Sequence, residues 1–162
     1  MTDQRGRNQI GRTARLVMVF SAILGFALSA SADHQIPFQG LANATLTGAE
    51  PAPDGLHVTA VGTGQATHLG RFTREEHTVL HEDGTIEGSL TFVAANGDLL
   101  CVDFVGAFTS QNTAQGTYSI TGGTGRSTSA SGEAAFVAVT SDGIHFVVTF
   151  EGVLSLPRGN QP

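Results

Sequence analysis

The chain has 162 residues, a formal net charge of −6 at pH 7, one cysteine and no tryptophan. From residue 33 onward it carries four arginines, no lysine and thirteen acidic residues, a net charge of −9, which argues against binding to nucleic acid or to anionic membrane surfaces. The single cysteine, Cys101, excludes an internal disulfide, so burial and hydrogen bonds must stabilise the fold.

Residues 1–32 have the pattern of a secretory signal peptide. Four arginines precede an apolar run of thirteen residues, Leu16 to Leu28, which is shorter than the roughly 20 residues needed to span a bilayer. Small residues at 30–32 follow the run and form a typical processing site. We expect cleavage after Ala32, export to the periplasm or the extracellular medium without membrane attachment, and one mature domain over residues 33–162. An uncleaved amino-terminal anchor is the alternative.

Beyond residue 33, apolar residues alternate with small polar ones in eight stretches, which predicts eight strands and no helix. The stretches lie at roughly 36–47, 56–67, 69–81, 85–95, 98–109, 114–121, 130–141 and 144–155. Three dipeptides between them are typical of β-hairpins: Asp83-Gly84, Asn96-Gly97 and Asp142-Gly143. Each predicts a two-residue turn whose central residues both take positive φ.

The predicted strands have one apolar face each. The clearest cases are the fourth strand (Ile86, Leu90, Phe92), the fifth (Leu100, Val102, Phe104, Phe108) and the eighth (Phe146, Val148, Phe150, Leu154). One apolar face per strand and short connections favour an all-β fold, an eight-stranded antiparallel closed barrel, because closure removes exposed sheet edges. A two-sheet sandwich, which needs connections that cross between the sheets, is the alternative.

The third strand, RFTREEHTVLH, departs from this pattern. Arg74 and Glu76 lie on the same period-two face as Phe72 and Leu80, which would place two charges with the core. A β-bulge near Glu75 that shifts the register is the interpretation we favour, because bulges are common at barrel rims. If the two charges do point inward, they mark a ligand pocket.

The stretch ITGGTGRSTSASGEAAF, residues 120–136, is rich in glycine but has the wrong spacing for nucleotide binding. Arg126 stands where a P-loop requires lysine, and no helix can begin in the serine, threonine and glycine residues that follow. A dinucleotide fingerprint also needs a strand, a turn and a helix. The stretch therefore predicts a tight turn between two strands, with glycines that allow positive φ.

Part of this stretch, GGTGRSTSASG at residues 122–132, resembles the GGTG-x-F-x-x-A-x-G segment of plant dirigent proteins and, more loosely, of allene oxide cyclases. Ser127 stands where those families have phenylalanine. Together with GTGQATHLGRFT (62–73) and FVAANGD (92–98), the segment is also similar to uncharacterised exported bacterial proteins with the same barrel. The resemblance implies an eight-stranded antiparallel barrel and carries no catalytic residue over to this chain.

Five residues are candidates for ligand binding: His68, Arg71, Arg74, Glu76 and Arg126. The first two lie where the second predicted strand passes into the third, and loops on a rigid barrel expose polar side chains. The arginines are scarce cations in an acidic protein. His77 and His81 are four residues apart on a strand, about 13 Å, and cannot bind one metal together. We expect neither a metal nor another cofactor.

Three functions remain open from the sequence. The first is binding of a small, largely apolar or carbonyl-bearing molecule in the barrel or at its mouth, since eight strands leave room for one small ligand. The second is a cyclase or isomerase of the allene oxide cyclase or dirigent kind, with a polar cluster at the mouth for which His68, Arg71, Arg74 and Glu76 are the candidates. The third is a barrel filled by its own side chains that serves as a structural or interaction domain, for instance in homo-oligomers.

Overall fold

Eight antiparallel strands follow one another around a ring in the computed structural model, which describes residues 34–156. The strands are β1 (His34–Ala52), β2 (Gly55–Ala66), β3 (Gly70–Leu80), β4 (Thr85–Ala94), β5 (Leu99–Ser110), β6 (Thr113–Gly123), β7 (Ser131–Thr140) and β8 (His145–Leu156). Each strand pairs with its neighbours in sequence, and β8 pairs with β1 to close the ring. The predicted closed barrel is confirmed, and the sandwich alternative is wrong. The predicted signal peptide lies outside the described residues.

Alternation along each strand separates an interior face from a surface face. On β5, Leu100, Val102 and Phe104 are buried, whereas Val105, the residue after Phe104, is 60% exposed on the outer face. The strand β1 runs five residues beyond its predicted end, because a register shift between Leu46 and Gly48 lets it bend and continue its pairing with β2. Within residues 34–156, no helix is long and apolar enough to cross a membrane.

The two ends of the barrel differ. The connections at 53–54, 81–84, 111–112 and 141–144 lie at one end, which we call the open end, and those at 67–69, 95–98 and 124–130 lie at the other, the closed end. Four phenylalanine rings fill the half next to the closed end and form the aromatic plug: Phe38, Phe72, Phe92 and Phe150, with neighbouring centroids 4.9–6.4 Å apart. Buried Leu69 and Ala130, from the closed-end loops, belong to the same core.

Two interior glycines make room for the aromatic plug. A Cβ atom on Gly40 would lie 2.5 Å from the ring of Phe150, and one on Gly64 would lie 2.5 Å from the ring of Phe72. The rings therefore pack directly on the backbone of β1 and β2, which a larger residue at either position would prevent.

The three predicted hairpins are present, but their turn type is different from the prediction. The connections 81–84, 95–98 and 141–144 have four residues each, and only the glycine takes positive φ, at 83° in Gly84, 85° in Gly97 and 75° in Gly143. The preceding Asp or Asn side chain holds the turn instead: Asp83 Oδ1 accepts a hydrogen bond from the Thr85 amide at 2.9 Å. Side-chain hydrogen bonds of this kind stabilise turns longer than two residues.

Asp142 holds the open-end turn between β7 and β8. Its carboxylate accepts hydrogen bonds from the His145 amide at 2.8 Å, the His145 Nδ1 at 2.7 Å and the Ile144 amide at 2.9 Å. These bonds, those of His145 first, hold the pKa of Asp142 well below its usual range.

Replacing Asp142 with alanine is expected to lower the midpoint of thermal unfolding at pH 7. Because the pKa of Asp142 is lower in the folded than in the unfolded chain, where it is about 3.9, its contribution is complete above that value and is lost as the pH falls through the folded pKa. The difference between wild type and variant should therefore shrink in acid. Asp103→Ala, on the outer face of β5, is the control; an equal loss in both variants would contradict this role.

The glycine-rich stretch forms the predicted turn at the closed end. A short 3₁₀ turn, Gly125–Ser127, lies between β6 and β7, and Gly125 takes a positive φ of 57°. Asp98 accepts a hydrogen bond from the Arg126 amide at 3.2 Å and pairs with the Arg126 guanidinium at 3.4 Å. Ser127, at the position where the resembling families have phenylalanine, is buried. The stretch therefore has an architectural role in closing this end.

Candidate functional site

The half of the barrel next to the open end contains a cavity of about 290 Å³. Side chains from all eight strands line it, and most of them are apolar. Small residues leave the space: Ala44, Ala60, Ala114 and Ala138 line it. The rings of Phe104, Tyr118 and Phe136 line the cavity, and Tyr118 packs against Phe92 and Phe150 of the aromatic plug. The closed half therefore shuts the cavity from below, and the barrel is a cup rather than a tube.

Arg74 and Glu76 both line this cavity, which makes the predicted bulge on β3 wrong. The strand pairs with β2 from Gly70 to Leu80 and with β4 from Phe72 to Leu80, and neither pairing contains a register shift. Arg74 is 2% exposed and Glu76 is 18% exposed, so both side chains point inward. No bulge is needed, because the two charges form an ion pair and face a cavity rather than a packed core.

Four polar side chains form the polar floor of the cavity: Arg74, Glu76, Thr78 and Tyr118. The Arg74 Nη2 atom pairs with Glu76 Oε2, and Arg74 Nη1 donates a hydrogen bond to the Tyr118 hydroxyl at 3.4 Å. Thr78 Oγ1 donates to the other Glu76 oxygen at 2.9 Å. The guanidinium also lies 5.8 Å from the ring centroid of Phe92, within the range of a cation–π contact. Arg74 thus connects the polar floor to the aromatic plug.

The protonation states of the polar floor follow from its burial. Burial opposes the charge on Arg74, but Tyr118 and Glu76 outweigh it, and the pKa of the guanidinium is raised. Burial raises the pKa of the Tyr118 phenol, although Arg74 acts against this. At neutral pH the floor therefore holds a charged arginine and a protonated tyrosine.

Several N–H and O–H donors of the polar floor have no acceptor among residues 34–156, and two matter most here. The Arg74 Nε atom is buried and makes no hydrogen bond within that range. The Tyr118 hydroxyl accepts from Arg74, which can only donate, so this bond leaves the hydroxyl proton unused. Buried donors are normally satisfied, and an unpaired one costs about 1–3 kcal/mol. Arg74 and Tyr118 both line the cavity, so these are the unpaired donors nearest to a molecule in it.

Comparison with known proteins places the fold. By sequence, no family model and no curated protein matches the chain. By structure, the barrel is similar to the pterocarpan synthase dirigent protein GePTS1, with a TM-score of 0.54 and 12% identity over 80% of this chain and 89% of that one. It is also similar to the pterocarpan synthase dirigent protein PsPTS1, with a TM-score of 0.55 and 13% identity over 78% of this chain and 97% of that one. The chain has a dirigent-like barrel.

The dirigent-like barrel separates the five sequence candidates into two groups. Arg74 and Glu76 meet in the cavity. His68, Arg71 and Arg126 are exposed at or beside the closed end, on the far side of the aromatic plug. His68 takes a φ of 65° in the connection between β2 and β3. A polar cluster that joins Arg74 with His68 and Arg71, as the sequence suggested, is therefore absent from the described part of the chain.

Tyr118 is the polar cavity residue that sequence reasoning missed. It lies on β6, 44 positions from Arg74 in sequence, and reaches it only because the barrel closes. A usable signal was present: Tyr118 is the only tyrosine of the chain, and it alternates in phase with Ala114 and Ile120 on the inner face of the dirigent-like barrel. The sequence could not identify Arg74 as its partner, because that contact depends on how the strands are arranged around the barrel.

Proposed function

We propose that the protein binds one small, largely apolar molecule in the open half of its barrel. The observation that carries the proposal is the cavity of about 290 Å³, with apolar walls, a closed bottom and unused hydrogen-bond donors on its floor. Eight-stranded barrels either fill their interior or hold one small ligand, and pockets for small molecules begin near this volume. A few polar groups in an apolar pocket fix the orientation of a ligand.

A cyclase or isomerase in the same cavity is the second candidate. The two similar structures are described as pterocarpan synthases. Arg74, Glu76 and Tyr118 favour this candidate, because a protonated phenol beside an arginine supplies a proton donor and further hydrogen bonds to an oxygen on which negative charge develops. The third alternative, a barrel filled by its own side chains, has less support because its open half is not filled. The chain would act after export, as the pattern of residues 1–32 predicts.

Filling the cavity is expected to abolish binding. Ala138 on β7 lines the cavity, and Ala138→Phe should place a ring in it, whereas Ala135→Phe puts the same ring on the outer face of the same strand. We expect 2-acetylnaphthalene, a small ketone, to bind wild type and the Ala135 variant at one site, and the Ala138 variant at least about ten times more weakly. Titration calorimetry measures this. Equal affinity in both variants would place the binding site elsewhere.

Native mass spectrometry of protein recovered from the periplasm tests the natural occupant and the export together. A protein mass that matches a chain beginning at residue 33 supports cleavage after Ala32, and a retained small molecule that is lost in the Ala138 variant supports the cavity as its site.

Incubation with a probe molecule separates binding from catalysis. A probe recovered unchanged favours binding alone, whereas a probe recovered with rearranged bonds favours the cyclase or isomerase. Ala60→Leu, which also narrows the cavity, serves if the Ala138 variant does not fold.

A further inference from the structure

We infer that the cavity selects neutral molecules that carry a hydrogen-bond acceptor oxygen, and rejects the corresponding carboxylates, even though an arginine lies on its floor. The inference rests on the proposed function, because it specifies the chemistry of the ligand in the same cavity. Three observations carry it: the net charge of the polar floor, the donors that the floor leaves free, and the charge of the open end.

The polar floor is already neutral as a unit. Arg74 is paired with Glu76, and the second oxygen of Glu76 accepts from Thr78. A carboxylate in the cavity would therefore meet no net positive charge, would lie close to Glu76, and would leave the interior with one uncompensated negative charge. Arginine binds a carboxylate best through two parallel N–H groups, but Nη1 and Nη2 of Arg74 already donate one hydrogen bond each, to Tyr118 and to Glu76. A carboxylate that used the remaining N–H groups of Arg74 would do so beside Glu76, which repels it.

The free groups of the floor suit a neutral acceptor instead. The Nε–H of Arg74 has no acceptor among the described residues, and the bond from Arg74 leaves the proton of the Tyr118 hydroxyl available. Burial raises the pKa of Tyr118, so that this proton stays in place at neutral pH. A carbonyl, ether or hydroxyl oxygen can accept one of these hydrogen bonds and introduces no charge.

The approach to the cavity is negatively charged. The open-end connections contain four acidic residues: Asp54, Glu82, Asp83 and Asp142. Of the arginines in residues 34–156, Arg71 and Arg126 lie at or beside the closed end and Arg74 lies inside the barrel. Histidines at the open end pair with some of these acids, as His57 does with Asp54 at 2.9 Å. The field at the entrance therefore slows the approach of anions and leaves neutral molecules unaffected.

Three probes of one shape test the inference by titration calorimetry at pH 7. 2-Acetylnaphthalene has a neutral acceptor, 2-naphthoate has a carboxylate in its place, and 2-ethylnaphthalene has no acceptor. We expect the ketone to bind at least about ten times more tightly than the carboxylate and several times more tightly than the hydrocarbon. A carboxylate that binds as tightly as the ketone overturns the inference but keeps the proposed function if Ala138→Phe weakens it. Binding of none of the three overturns both.

Removing the charge of Glu76 should reverse the selection. Glu76→Gln keeps the shape of the side chain but leaves Arg74 as a net positive charge, so 2-naphthoate is expected to gain at least about tenfold in affinity and to overtake the ketone. Glu75→Gln changes the charge of the protein equally, on the outer face, and should change neither affinity. An equal gain in both variants would show that overall charge decides. An unchanged affinity for naphthoate in the Glu76 variant would overturn the inference.

Tyr118→Phe provides a second test that does not depend on Glu76. Without the hydroxyl donor, the affinity for the ketone is expected to fall towards the affinity for 2-ethylnaphthalene. The affinity for 2-ethylnaphthalene should itself change less than about twofold. A ketone that keeps its full advantage over the hydrocarbon would exclude Tyr118 as the donor. Because the chain has one tyrosine and no tryptophan, tyrosine ring signals in the proton NMR spectrum of wild type report on this residue alone.

Discussion

Replacing Glu76 with alanine is expected to lower the free energy of unfolding by about 3–5 kcal/mol, one of the two largest effects that the structure predicts. Arg74 is 2% exposed, and Glu76 is its partner in the ion pair. Without that carboxylate the guanidinium stays charged, because an arginine cannot release its proton in a protein. The variant therefore leaves an uncompensated charge at the bottom of an apolar cavity, which costs more than the ion pair itself contributes.

Urea unfolding measures this loss, and the neighbouring acid supplies the control. Glu75 lies on the outer face of the same strand, so Glu75→Ala should change the free energy of unfolding by less than about 0.5 kcal/mol. Replacing both members of the pair, Arg74→Met with Glu76→Leu, should restore most of the stability, because apolar residues of similar volume can substitute for a buried ion pair. If Glu76→Ala and Glu75→Ala had equal effects, Arg74 would not be desolvated in the folded protein.

The strands and the core could be predicted because both depend on local periodicity. Each inward position lies two residues from the next, so Leu100, Val102 and Phe104 identify the inner face of β5 without knowledge of any partner strand. Closure of the sheet into a barrel could be predicted from the short connections between the strands. The resemblance in the glycine-rich stretch added support for the same fold, and the similar solved structures agree with it.

The bulge predicted in β3 was wrong for a physical reason. Two charges on an inner face are unfavourable if that face meets a packed core, and a bulge would then remove them. The sequence of one strand does not show whether its inner face meets a core or a cavity. That depends on other strands of the ring, where alanines on β1 and β7 leave space and Tyr118 on β6 accepts a hydrogen bond from Arg74.

The two ends of the barrel were also indistinguishable by sequence. Loops at both ends contain glycine, aspartate and asparagine, so the sequence made His68 and Arg126 candidates for ligand binding in the same way as Arg74. What separates the ends is the distribution of large side chains along the barrel axis, and four phenylalanines from four different strands meet in one half. The tilt and stagger of the strands decide that meeting, and no single strand encodes them.

Replacing Phe92 with alanine is expected to lower the free energy of unfolding by about 3–5 kcal/mol, because the ring is fully buried in the middle of the aromatic plug. Its centroid lies 4.9 Å from that of Phe72 and 6.2 Å from that of Phe38, in edge-to-face contacts that add to the burial. It also lies 5.8 Å from the Arg74 guanidinium, so the variant removes the support beneath the polar floor.

The same variant also tests whether the barrel is a cup. Val105→Ala removes an apolar side chain that is 60% exposed on the outer face, and it should change the free energy of unfolding in urea by less than about 0.5 kcal/mol. If the plug closes the cavity, Phe92→Ala opens a void directly below Arg74, and the affinity for 2-acetylnaphthalene should fall together with stability, since the floor loses its fixed position. Loss of stability with unchanged affinity would mean that the polar floor does not depend on the plug. Equal stability of the Phe92 and Val105 variants would mean that the closed half is not tightly packed, and the cavity would then have no bottom.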